Sequence, residues 1–324
     1  LMENGAGLAP GLMTNDWLPY GQPLNQGAIV ISKPENDSTF YQFHERVEYL
    51  INGPNQYGMV HITFPLYYST IVFDSTSPDG RIWEKNEILT EEPVAYGKLT
   101  AVRHANGRDW WILVFKYFSN NYSRFLLAPE GITELFADSI GLMIPSSVGQ
   151  AVFSPDGNKY AKLNLYKVAN DIFLDLYDVD RCQGMFTRST HLIYRDTALF
   201  GGVAFSPNSR YLYVSSQRYL YQYDTWAEDV QASRLVIAQL PWDVPGTTYT
   251  NFGMMQLGPD GKIYISGYWV NTLHIIHNPN AHGAACELEI NAIDWGYSIE
   301  RSIPNHPYYG LGPLDGSPCD TLGI

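Results

Sequence analysis

The chain is short of cysteine, of charge and of long apolar runs, and each shortage excludes something. Its three cysteines, Cys182, Cys286 and Cys319, stand far apart with no CxxC or other metal-ligand spacing. No apolar run reaches the length of a membrane-spanning helix, so membrane insertion is not expected. Charged residues make up only 16% of the chain, which is not the composition of a disordered segment. The charge is also one-sided: 20 Lys and Arg against 33 Asp and Glu leave a net charge of −13, which argues against nucleic acid or an anionic membrane as partner. Neither HExxH nor GxSxG occurs, so no zincin helix and no nucleophile elbow can be drawn. Asp175, Asp178 and Asp180 lack the glycine and terminal glutamate of a calcium loop. Strand alternation sends Asp175 and Asp178 to opposite faces, and a solvated strand end is the expectation there. His274 and His277 fail as a metal pair by the same parity. No metal and no cofactor are expected. The chain starts at Leu1 with neither an initiator Met nor an apolar leader, and is expected to be a processed product or a piece of a longer protein.

What is present is a repeat. Val152-Phe153-Ser154-Pro155-Asp156-Gly157 returns as Ala204-Phe205-Ser206-Pro207-Asn208-Ser209 and as Gln256-Leu257-Gly258-Pro259-Asp260-Gly261. The steps are equal: 153 to 205 is 52, and 205 to 257 is 52. A fixed period of this order, with several short strands per unit, is the signature of propeller blades. Proline presets φ at the first turn corner, Asp or Asn accepts a local hydrogen bond, and Gly takes the left-handed position.

Four short strands can be drawn in each unit. Unit one takes Ala28–Ser32, Thr39–His44, Leu66–Asp74 and Arg81–Ile88, with an insertion over Glu45–Phe64. Unit two takes Leu99–His104, Asp109–Phe115, Ser123–Ala128 and Gly131–Asp138. Unit three takes Gln150–Ser154, Lys159–Leu165, Ile172–Asp178 and Thr187–Tyr194. Unit four takes Val203–Ser206, Tyr211–Ser215, Tyr219–Asp224 and Arg234–Ala238; unit five takes Gly253–Leu257, Lys262–Ser266, Thr272–His277 and Cys286–Ile290. The runs are β-branched, aromatic or alternating, and no useful helical period appears. The fold class is therefore all-β: a propeller of four-stranded antiparallel blades, five of them visible, with the ring left open as to closure. Residues 1–26 read as an irregular lead-in, 27–303 as the propeller, with Trp295–Ile303 as one further strand, and 304–324 as a Pro- and Gly-rich closing segment or linker approach.

Several stretches together resemble a known group. They are Leu99–Trp111, Phe153–Gly157, Gln256–Gly261 and Leu311–Asp320. The chain is similar along nearly all its length to the propeller region of secreted Bacteroidota proteins that carry a type IX secretion sorting domain, the gliding-motility-associated kind. The resemblance implies secretion by that machinery, a secreted or cell-surface location, and a chain without the upstream strands and sorting domain of its relatives.

Aligning the units on their turns exposes the oddities. Arg103 stands where the other units carry Phe153, Phe205 and Leu257, and His104 stands opposite Ser154, Ser206 and Gly258. A guanidinium in an apolar slot is costly unless paired. One reading is an anion or carbohydrate contact at the channel; the other is a structural ion pair between blades. Gln150, which opens the first strand of unit three, and Gln256, which replaces Val152 and Ala204, are read the same way. Trp110, Trp111, Tyr219, Tyr221, Tyr223, Tyr268 and Trp269 offer either a sugar-stacking surface or blade packing. The favoured function is an extracellular, non-enzymatic binding or scaffold propeller with a protein or glycan partner. The alternatives are a propeller enzyme acting on glycans or lactones at the channel mouth, and a structural module of a larger adhesin. In the oxidising compartment that secretion implies, a disulfide between Cys286 and Cys319 is expected to tie the closing segment to unit five, leaving Cys182 free.

Overall fold

The computed structural model describes residues 2–9, 24–51, 59–143, 148–166, 171–196, 200–241, 250–299 and 303–323. Among the described residues, twenty strands form five four-stranded antiparallel sheets, each in simple meander order, and the fold is an all-β propeller. Blade one is β1 (Ala28–Ser32), β2 (Thr39–Ile51), β3 (Met59–Asp74) and β4 (Ser77–Thr90). Blade two is β5 (Ala101–Arg103), β6 (Trp110–Phe115), β7 (Asn121–Ala128) and β8 (Gly131–Ser139). Blade three is β9 (Ala151–Phe153), β10 (Lys159–Tyr166), β11 (Asp171–Asp180) and β12 (Met185–Arg195). Blade four is β13 (Val203–Phe205), β14 (Tyr211–Ser216), β15 (Tyr219–Asp224) and β16 (Leu235–Gln239). Blade five is β17 (Met255–Leu257), β18 (Ile263–Ile265), β19 (Val270–Ile276) and β20 (Leu288–Ile299).

The chain divides into two compact units. One comprises Leu1–Ser146, Asp180–Met185 and Asn305–Ile324; the other comprises Ser147–Val179 and Phe186–Pro304. Blades one and two belong to the first, and blades three to five to the second.

Four turns are built alike. Ser154 N donates to Lys159 O and Gly157 N to Ser154 O; Ser206 and Ser209, Gly258 and Gly261, and His104 and Gly107 make the matching pairs. The residue closing each turn is left-handed, at φ 73° for Gly157, 77° for Gly261 and 75° for Gly107. Blade four puts Ser209 there at φ 61°, a conformation that costs a side chain energy. Its hydroxyl offsets the cost by accepting the Asp156 N–H at 3.1 Å. Pro155, Pro207 and Pro259 thus occupy equivalent first-to-second-strand turns. The second strands β6 and β14 are buried at every residue, which is why their sequences are continuous apolar and aromatic runs rather than alternating ones.

The structure differs from the sequence reading at element ends. The insertion expected over Glu45–Phe64 lengthens the hairpin, since β2 and β3 run on through paired residues as far as Ile51 and Met59; 52–58 lie outside the described residues. The fourth strand, expected from Arg81, starts earlier, with Ser77–Gly80 the first residues of β4. Cys286 closes a 3-10 turn, Gly283–Cys286, and the last strand of blade five starts two residues later. Trp295 continues β20 and adds no further strand, with 300–302 outside the described residues. Of the lead-in, 10–23 lie outside them too; Glu3 pairs with β4, the last strand of blade one, through Gly80 O and Ile82 N.

The disulfide expectation is corrected. Cys319 is bonded to Cys182, with Cα atoms 5.7 Å apart, and Cys286 is the free thiol. Cys286 is wholly buried in an apolar cluster with Tyr213, Phe252 and Ile263, a place that suits a small hydrophobe. Cys319 sits in a segment held by first-unit residues: Leu314 N donates to Ala105 O, and Arg181 Nη2 to Gly312 O. That places it beside the 180–185 turn.

His44 carries a pH dependence. It is 4% exposed, its Nε2 lies 3.0 Å from Ser69 Oγ, and its Nδ1 has no partner. Burial pushes its imidazole down to about 4. Because the folded value lies below the ordinary 6.5, the neutral form is the stable one, and stability is complete above pH 6.5 and lost as pH falls through 4. The shift corresponds to about 3 kcal/mol. Urea melts between pH 7 and pH 4 should show that slope, and His44→Gln should flatten it; an equal slope in the variant contradicts the assignment. His274, also lowered by burial, adds in the same direction.

Candidate functional site

The four predicted channel residues are best taken one by one. Arg103 is half-buried, as an expensive charge should be, and donates from Nη1 to Arg108 O at 2.7 Å. Its guanidinium lies 4.1 Å from the centre of the Trp110 ring, its cross-strand partner. In blade three the same register pairs Phe153 with Tyr160, rings 4.8 Å apart. Arg103 therefore does the packing work of Phe153, with a cation–π contact in place of an aromatic pair. Arg103→Phe is expected to change stability by no more than about 1 kcal/mol, while Arg103→Asp loses the stacking and costs about 2–3 kcal/mol. Thermal melts of the two variants check this; equal losses would contradict it.

His104 accepts the Asn106 N–H on Nδ1 at 2.9 Å and stacks near Trp111, with burial lowering its pKa ahead of the opposing effect of Asp109. Gln150 is 1% exposed. Its Oε1 accepts from Val203 N and Met255 N, both at 3.0 Å, and its Nε2 donates to Met255 O at 2.6 Å. One amide thus staples the first strands of blades four and five to the start of blade three. Gln256 is half-buried and makes one long bond, Nε2 to Leu257 O at 3.4 Å. Three of the four, Arg103, His104 and Gln150, have polar atoms committed to protein groups. The tryptophans go the same way, because β6 is buried on both faces: Trp110 and Trp111 are both buried, and Trp111 Nε1 donates to Arg181 O.

A different site lies in the second unit, between β12 and the loop 225–231. A cavity of about 690 Å³ is lined by Lys159, Asp178, Arg188, His191, Glu228 and Gln231, among others. Cross-strand register builds it. Lys159 lies opposite Asp178 and Lys162 opposite Asp175 in the β10–β11 ladder, and a spacing of three puts the two pairs on opposite faces. Asp178 is held by Lys159 Nζ at 3.0 Å and Arg188 Nε at 2.8 Å, while the Arg188 side chain stays 72% exposed. Asp175 is not the solvated strand end expected: it is 1% exposed, with Lys162 Nζ at 3.3 Å and His191 Nδ1 at 2.7 Å. Burial lowers the Lys162 pKa, and Asp175 opposes that shift. Burial raises Tyr160 and Tyr177 beside it, with Asp175 adding to both.

The chemistry available is recognition of a polar ligand by Arg188, Gln231 and Glu228, with His191 among the lining residues. His191 Nδ1 lies 2.7 Å from Asp175 Oδ1 and is the ring atom committed to that carboxylate. Sequence reading missed Lys162, Arg181, Arg188 and His191. The available signal was two lysines three apart in one strand and two aspartates three apart in the next.

No family model matches the chain, and no curated protein matches it. Among solved structures it is similar to a candidate 6-phosphogluconolactonase of Bacteroides fragilis (12% identity, 88% of this chain and 86% of that one, TM-score 0.48). It is also similar to a protein from Lactobacillus plantarum (12%, 87% and 86%, TM-score 0.48) and to a periplasmic gluconolactonase of Pseudomonas aeruginosa (13%, 83% and 71%, TM-score 0.45).

Proposed function

We propose that this chain is an extracellular binding propeller, at the cell surface or after secretion, whose polar ligand sits in the cavity beside β12. A glycan or a segment of an extracellular protein is the partner. The observation that carries the reading is the cavity wall itself: Arg188 is largely exposed on it and His191, Glu228 and Gln231 line it, in a protein whose first-strand candidates are mostly used internally. The Cys182–Cys319 bond supports an oxidising compartment, and the resemblance to sorting-domain proteins supports export by that route. Among the described residues no helix is long and apolar enough to cross a membrane.

The test is a glycan and peptide array, followed by titration of each hit. Arg188→Ala and His191→Ala are expected to weaken binding by about tenfold or more. Unchanged affinity in both variants would sink the reading.

One observation favours a second reading, an enzyme acting on glycans or lactones: the His191–Asp175 pair at 2.7 Å, with His191 among the residues that line the cavity. Such a pair can take a proton from water attacking a carbonyl. It stands on β12, the fourth strand of its blade, and not on a first strand. Lactone ring opening that disappears in His191→Ala but survives in Arg103→Phe would establish it; no turnover by the wild type would remove it.

A further inference from the structure

Among the described residues of the second unit, Trp226 is the most exposed tryptophan, at 62%. Asp224, the last residue of β15, builds its seat. Trp226 N donates to Asp224 Oδ1 at 3.0 Å, and Ala227 N donates to Asp224 O at 3.1 Å. Thr225 between them is buried, and its Oγ1 donates to Arg210 O at 2.9 Å. At the far end of the loop, Ser233 Oγ accepts the Asp224 N–H at 3.0 Å and donates to Val230 O at 2.6 Å. None of these bonds uses the indole. Any residue with a backbone N–H could close this turn, so the turn does not account for the tryptophan.

The ring has one cation against it. The Arg210 guanidinium carbon lies 5.4 Å from the centre of the Trp226 ring and 5.1 Å from that of Tyr211. The same guanidinium grips Asp224 with two nitrogens: Nε at 3.1 Å from both oxygens, and Nη2 at 2.6 Å from Oδ2. One carboxylate therefore holds both the turn that carries the ring and the cation that stacks on it. Two consequences follow for a ligand. The ring is set in place beforehand, so little ordering is left to oppose binding. The ion pair cancels its own charge, while Arg210, 40% exposed, presents N–H groups to solvent beside the ring.

We infer that Trp226 is a platform on which a sugar ring of a neutral glycan stacks, with Arg210 donating to its hydroxyl oxygens. The chemistry selects a sugar. One face of a pyranose is a set of C–H groups with partial positive charge, and the indole face is negative. Its rim is hydroxyl oxygens, which accept from a guanidinium. An apolar anchor from a protein partner would need an enclosing pocket, whereas Trp226 is open and is followed by the exposed acids Glu228 and Asp229. Those acids and the net charge of −13 disfavour an acidic glycan. The neighbours Thr225 and Ala227 line the β12 cavity, but the platform is a site in its own right and does not need that cavity.

The test is isothermal titration of the full chain with cellohexaose, laminarihexaose and chitohexaose, and with hexagalacturonate as the acidic counterpart. A neutral hexasaccharide should bind, Trp226→Ala should weaken it by about tenfold or more, and Trp226→Tyr should keep it within about threefold. Trp269→Ala, at another exposed tryptophan, should change nothing. Trp226→Ala should melt within about 2 °C of the wild type, because its side chain lies at the surface. Hydroxyl-radical oxidation of Trp226 in the wild type should fall when the sugar is bound, a readout that needs no variant. The two sites separate cleanly. A sugar lost in Trp226→Ala and kept in Arg188→Ala and His191→Ala supports the platform and removes the cavity reading; the opposite pattern removes the platform. Binding of hexagalacturonate alone, binding of none of the three neutral sugars, or binding that leaves Trp226 oxidation unchanged would each overturn the inference.

Discussion

Gln150→Leu is expected to destabilise the protein by about 3–6 kcal/mol, because it orphans three buried backbone groups at about 1–2 kcal/mol each, within the usual range for an unsatisfied group. Those groups are the N–H of Val203 and the N–H and C=O of Met255, all bonded to one side chain in the wild type. Leucine is similar in size, so a cavity contributes little and the loss reports the polar bonds. Gly202 sharpens the point: a Cβ there would lie 2.4 Å from Gln150 Oε1, so the backbone approaches the amide as closely as glycine permits. Equilibrium urea unfolding measures the loss directly. A change under about 1 kcal/mol would mean that the amide is replaceable and that a ligand role for Gln150 is open again.

Cys319→Ser is expected to cost about 5 kcal/mol on the chain-entropy model, since the bond spans a sequence separation of 137 residues. The loss should appear as a lower urea midpoint in the variant and in dithiol-treated wild type, and not in Cys286→Ser under reducing and oxidising conditions compared. Cys286→Ser has its own smaller cost, from placing a hydroxyl in an apolar cluster. A midpoint in Cys319→Ser equal to that of the oxidised wild type would show that the bond adds nothing to stability.

The repeat carried the fold because its turn chemistry is local. Pro155, Pro207 and Pro259, with Asp156, Asn208 and Asp260 after them, specify the same hairpin wherever they occur, and the strands on either side could be placed within a few residues. Blade two was legible despite lacking the proline, because His104-Ala105-Asn106-Gly107 closes the same pair of hydrogen bonds. Arg103 was visible as a departure from the repeat, and its burial and its bond to a backbone carbonyl follow from the energetics of a charge in an apolar slot. What replaced the missing aromatic pair was Trp110 across the ladder, which needs the register to be known.

The candidate site was harder to read. Lys162, Asp175 and His191 lie on three successive strands, and only the register shows that one carboxylate serves both bases. Asp175 looked like a solvated acid because nothing local distinguishes it from Asp178. The cysteine pairing failed for a similar reason: chain order suggested that Cys319 would reach the nearest preceding thiol, while the closing segment's hydrogen bonds carry it to the turn that holds Cys182.

The central claim is that the ligand meets the β12 cavity and not the first strands. Hydroxyl-radical footprinting of the oxidised protein with and without a saturating array hit tests it most directly. Protection is predicted at Arg188, His191 and residues 225–231, with Arg103, His104, Gln150 and Gln256 unchanged. Protection confined to those four, with the β12 cavity unaltered, would contradict the account.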